Sequence, residues 1–169
     1  MKNKLNIDLK LMLRTADEFL TISSNKETFI TNAVNAAFAC EIYLKFLLYS
    51  KFKCYPNEHD LRKLYNEAVS QNALDEQAFL KILSDEIADS MSSESLKNDT
   101  SNAISMLNTM LDGVKDHNLE DGFILYPHKN ISVEWRYIFE EKIPYEGIID
   151  SALYRFAEAL KRYVDSTAS

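Results

Sequence analysis

Between Ala33 and Leu48 the chain points apolar or small side chains in nearly every direction of a helical projection. Ala33, Val34, Ala36, Ala37, Phe38, Ala39, Ile42, Tyr43, Leu44, Phe46 and Leu47 leave almost no side for water. A helix of that composition is stable only when other helices enclose it, so it reads as the central element of a bundle. The predicted helix runs from about Lys26 to Lys53, with Pro56 ending the segment. Ala33, Ala36, Ala37, Ala39 and Cys40 let a neighbouring helix approach closely, from the same chain or from a second subunit. Only three Gly and three Pro occur in 169 residues, too few to supply many tight turns. The reading is a single all-α domain, residues 1–169, of about five or six helices.

The central run cannot double as a membrane span, because Glu41 and Lys45 would place charge at the bilayer centre. No apolar stretch of signal-peptide type follows the basic start Met1-Lys2-Asn3-Lys4, and Cys40 and Cys54 make no disulfide framework. A cytoplasmic protein is expected. A net charge of −7 opposes coating nucleic acid by bulk electrostatics. Lys45, Lys51, Lys53, Arg62 and Lys63 nonetheless cluster in sequence, and their plainest reading, for Lys51 and Lys53 above all, is solvated residues at helix ends.

Flanking segments follow helical spacing. Leu5, Leu9, Leu13, Ala16 and Leu20 form a stripe over about Leu5 to Ile22, and Ser24 with Glu27 has capping-box spacing for the next helix. Asp60 reads as the cap of a helix carrying Leu61, Leu64, Tyr65, Ala68 and Val69. Residues 72–74 break it, and Asp75 to Asp89 form another. Ser93 is the expected cap of a helix to about Asp116 with Leu96, Ala103, Ile104, Leu107, Met110, Leu111 and Val114 inward. From His117 to Tyr145 the period fails, and a packed loop with a hairpin of Phe123–Tyr126 and Ser132–Tyr137 is expected. The last helix spans about Tyr145 to Ser166.

Chemistry concentrates in three places. Glu41 and Lys45 stand one turn apart in the favourable ion-pair order, either on the strip of the helix that reaches solvent or lining a polar cleft. His59-Asp60-Leu61 opens a helix, and structural service is the preferred role of His59. Arg136 lies between Trp135 and Tyr137, where it suits stacking, a carboxylate such as Glu41, or a bidentate phosphate. Scattered His and Cys give no metal-ligand spacing, and three isolated Gly give no phosphate loop.

The run Cys40-Glu41-Ile42-Tyr43-Leu44-Lys45, then His59-Asp60-Leu61, then Arg136-Tyr137 before the last helix, resembles the HEPN superfamily of small helical proteins. That resemblance implies an RNA-cleaving nuclease, or a non-catalytic partner of a nucleotidyltransferase, or a dimeric scaffold. Nucleases of this kind carry an Arg followed after four to six residues by a His, and none of Arg14, Arg62, Arg136, Arg155 and Arg162 has one there. The expectation is therefore a non-nucleolytic HEPN-like domain with no catalytic residue, metal or cofactor assigned. It would form a homodimer through long helices and bind a nucleotide, RNA or protein partner in a cleft lined by Glu41, Lys45, His59, Arg136 and Tyr137. A bacterial defence or toxin–antitoxin setting fits such a domain. Two alternatives stand beside it: a metal-independent RNA endonuclease using Arg136 with His59, His117 or His128, and a purely structural interaction domain.

Overall fold

The computed structural model describes residues 7–24, 29–90, 99–112 and 149–167. These form six helices and, among the described residues, no strand. In chain order they are α1 (Leu9–Ser23), α2 (Phe29–Phe52), α3 (Leu61–Ser70), α4 (Glu76–Ser90), α5 (Thr100–Asp112) and α6 (Ile149–Thr167). The all-α bundle read from the sequence is the architecture found. No helix among the described residues is long and apolar enough to cross a membrane.

Carboxylate caps start four of the helices. Asp8 accepts from the amides of Lys10 and Leu11, Asp60 from Lys63, Asp75 from Gln77 and Ala78, and Asp99 from Ser101 and Asn102. Each satisfies amides that the first helical turn leaves without partners. Three helix boundaries bear on the expectations. The Ser24 hydroxyl donates backward to the Thr21 carbonyl at 2.7 Å and closes α1, and the amides of the next helix that it was expected to cap lie outside the described residues. Glu27 lies outside the described residues. The fifth helix starts at Asp99 rather than Ser93, because Asp99 holds its first amides, and Ile104 is exposed while Ala103, Leu107 and Leu111 face inward. α2 ends at Phe52, at the expected place ahead of Pro56. Lys53 closes it, adopting φ 56° while its amide bonds to the Tyr49 carbonyl at 2.8 Å. That conformation costs a side-chain-bearing residue about 1–2 kcal/mol, and the Lys53 ammonium offsets part of it by donating to the Ser50 carbonyl at the negative helix end.

The enclosure demanded by α2 is supplied by α1 and α6 along its length and α3 near its C-terminal end. Its small-residue stripe is covered from within the chain. Ala36, Ala37, Ala39 and Cys40 are buried, and the Cys40 thiol donates to the Leu153 carbonyl of α6 at 3.8 Å. Beyond it, α4 packs on α6 and α5. Phe156 meets Phe79 edge-on at 5.5 Å and Tyr65 at 6.2 Å, while Phe79 also meets Tyr163 at 6.2 Å, so one aromatic cluster joins α3, α4 and α6. This core fixes the C-terminal half of α2 beside the start of α3. Residues 117–145, with the expected hairpin, lie outside the described residues.

Candidate functional site

The last three turns of α2 run directly into the connection that caps α3, so Glu41, Lys45 and His59 are brought to one place by local chain geometry. Glu41 Oε1 accepts from Lys45 Nζ at 2.9 Å and pairs with His59 Nδ1 at 3.0 Å. The two α2 side chains are buried, 8% exposed for Glu41 and 9% for Lys45, whereas the His59 side chain is 51% exposed. The reading that placed Glu41 and Lys45 on a solvent-facing strip is therefore corrected: the imidazole and the residues around it roof the pair over. Burial is tolerable because acid and base neutralise one another with good geometry.

Aromatic rings complete the enclosure. Lys45 Nζ lies 5.4 Å from the Tyr55 ring centre, and Tyr55 packs edge-on to Tyr49 at 6.1 Å. The Tyr49 hydroxyl in turn accepts the Ile7 amide at 3.3 Å.

His59 is held by its neighbours as well as by Glu41. Glu58 Oε1 accepts the amides of His59 at 3.0 Å and Asp60 at 3.1 Å, and its other oxygen takes Lys63 Nζ at 3.1 Å. Those bonds, the Asp60 amide first, then the His59 amide, then Lys63, hold the Glu58 carboxyl down at about 2. Nδ1 faces the Glu41 carboxylate, which leaves Nε2 on the exposed side of the ring. No described group bonds to that atom.

Three of the five expected site residues thus converge. Arg136 and Tyr137 lie outside the described residues. Glu58 and Tyr55 were missed: an acidic residue just ahead of a helix start is a weak signal that could have flagged Glu58, and nothing in the sequence marks Tyr55. The basic cluster has dissolved into separate tasks. Lys45 is interior, Lys51 donates to the Asn72 carbonyl at 2.7 Å, Lys53 caps α2, Arg62 donates to Asn108 at 3.1 Å and Lys63 serves Glu58. Cys40 is wholly buried, and burial pushes its thiol well above the ordinary range, in keeping with inert packing. Among the described residues no group of His, Cys, Asp and Glu could hold a metal ion.

Two further polar clusters went unread in the sequence. Asp17 Oδ1 accepts from the Tyr43 hydroxyl at 2.5 Å and Lys161 Nζ at 2.7 Å, beside a groove of about 370 Å³ between α1 and α6. Burial, then the bond to Asp17, pushes the Tyr43 phenol upward. On the far side of α6, buried Glu86 binds Arg162 and lies 3.8 Å from Arg155.

No family model, curated protein or solved structure matches the chain. Chemistry must therefore be argued from the geometry. Lys45 reaches a phosphate only by abandoning a buried carboxylate, so among the described residues the cluster presents to solvent an imidazole edge, flanked by Glu58 and Lys63.

Proposed function

We propose that this chain is a HEPN-like domain that does not cut RNA and that receives a protein partner on the face around His59. The observation that carries it is the closed Glu41–Lys45 pair, with a half-exposed His59 on the same carboxylate oxygen. Cleaving a phosphodiester needs an acid, a base and a cation over the phosphate, each free to act. Here the acid and the cation neutralise one another out of solvent. Recognition asks less: a fixed imidazole edge amid mixed charges is a polar anchor for a protein surface, and a net charge of −7 disfavours a polyanion. The partner class implied by the HEPN resemblance is a nucleotidyltransferase, in a bacterial defence or toxin–antitoxin setting.

The test has two arms. Purified chain is incubated with single-stranded RNA without metal ions, and it is separately co-expressed with the proteins encoded beside it. The expected result is intact RNA, and a complex on size exclusion that His59→Glu abolishes while the far-ultraviolet circular dichroism of the folded chain is retained.

One observation favours a second reading. A carboxylate behind Nδ1 with Nε2 turned outward is also how a general base is oriented. Cleavage lost in both His59→Ala and Glu41→Gln would replace the first reading with that of an RNA endonuclease.

A further inference from the structure

The groove of about 370 Å³ between α1 and α6 is lined by hydroxyls whose protons are already committed. Thr21 donates to the Asp17 carbonyl at 2.8 Å, Ser24 to the Thr21 carbonyl at 2.7 Å, and Tyr154 to Glu58's counterpart on α6, Glu158 Oε1, at 2.6 Å. Each hydroxyl keeps only lone pairs to offer. Lys161, the cation of the lining, directs its ammonium to Asp17 Oδ1 at 2.7 Å and to Asp165 Oδ2 at 3.5 Å. Among the described residues no donor reaches Asp17 Oδ2 or Glu158 Oε2. The bonds of Asp17 to Tyr43 and Lys161 tie three helices together and account for that residue. Glu158 has no such duty, since its partner is a tyrosine one turn back on its own helix.

Walls that accept and scarcely donate are complemented by a ligand that brings protons and positive charge. An anion would meet the Asp17 and Glu158 carboxylates with Lys161 already engaged. A metal ion fits no better, because among the described residues no group of His, Cys, Asp and Glu could hold one. A primary ammonium has three donors and no acceptor, and buried Leu20 with the Tyr154 ring gives methylenes an apolar surface in the same groove. The volume falls within the roughly 300–1,000 Å³ of small-molecule sites. We propose that the α1–α6 groove binds a primary alkylammonium ligand, its nitrogen donating to Glu158 Oε2, Asp17 Oδ2 and a hydroxyl oxygen of the α1 end. This site lies apart from His59 and does not rest on the function proposed there.

Amide chemical shifts of the full chain, titrated with n-butylammonium at physiological ionic strength, test this. They should saturate and centre on residues 17–24 and 154–161. Butyltrimethylammonium has the same charge and chain but no N–H, and should bind about tenfold more weakly, the effect of losing charge-assisted hydrogen bonds. Glu158→Gln should weaken butylammonium by a similar factor while its amide oxygen still accepts from Tyr154. Glu67→Gln, the same change of charge on α3, should leave the affinity as it is and so separates the site from the general attraction of an acidic chain for cations. Shifts that do not saturate, a quaternary cation bound as tightly, or a Glu158→Gln variant that binds like Glu67→Gln would each overturn the proposal. Should Glu158→Gln not fold, the two cations compared on wild type decide it.

Discussion

Replacing Glu41 by Leu should be the most damaging single change in the polar cluster. It leaves the Lys45 ammonium, 9% exposed, without the carboxylate 2.9 Å away. Breaking one side of a buried pair costs about 3–5 kcal/mol, because the remaining charge is neither solvated nor matched. For a chain of this size each kcal/mol lowers the melting temperature by about 2–4 °C, so a fall of roughly 6–20 °C is expected. The double variant Glu41→Leu, Lys45→Met removes both charges at similar volume and should return to the wild-type melting temperature or exceed it. His59→Ala, touching a half-exposed ring, should cost about 1 kcal/mol. Thermal melts near neutral pH, followed by far-ultraviolet circular dichroism, rank the three. A single variant as stable as wild type, or a double variant no better than the single, would refute the view that mutual neutralisation holds these charges in the interior.

Other predictions follow from neighbouring groups. The Glu58 carboxyl, ordinarily near 4.5, is held at about 2 in the folded chain, so its contribution to stability is complete above 4.5 and disappears as the pH falls toward 2. Glu58→Gln should flatten that stretch of a stability–pH curve measured by denaturant titration. Burial, then the 2.6 Å bond to Glu158, raises the Tyr154 phenol to about 12, so its contribution is present below 10 and lost as the pH rises toward 12. Spectrophotometric titration should show Tyr154 ionising late, ahead of the still later Tyr43 and Tyr65, and its step should move earlier in Glu158→Gln. A thiol reagent added to native protein should label Cys54, which is partly exposed, and spare Cys40 until denaturant is added.

How legible these features were depended on the reach of the signal. Asp60 announced its cap because capping is decided within three residues, and the enclosure of α2 was legible because no orientation of that helix offers water a face. Lys53 gave no warning: the left-handed ending that glycine would have advertised is made here by a lysine, on terms set by the surrounding packing. The spacing of Glu41 and Lys45 established that they pair but said nothing of burial, which depends on where His59 and Tyr55 come to lie. Asp17, Tyr43 and Lys161 were beyond reach. They stand on three helices, and no periodicity within one helix records what its neighbours bring.

A buried pair that two apolar residues could replace without loss has no thermodynamic reason to exist, so its place in the fold must be sought in what it positions. Glu41 Oε1 accepts from Lys45 and meets His59 Nδ1, so the pair fixes the imidazole with Nδ1 inward. An apolar pair would leave His59 free to turn, stabilising the domain while removing the oriented imidazole edge. The Glu41→Leu, Lys45→Met variant therefore separates the readings. Under the binding proposal it should melt at or above wild type yet fail to form the complex with the neighbouring gene product, a combination that a purely structural cluster does not produce. Retention of the complex by that variant would assign Glu41, Lys45 and His59 to holding α2 against the start of α3 and to nothing beyond it.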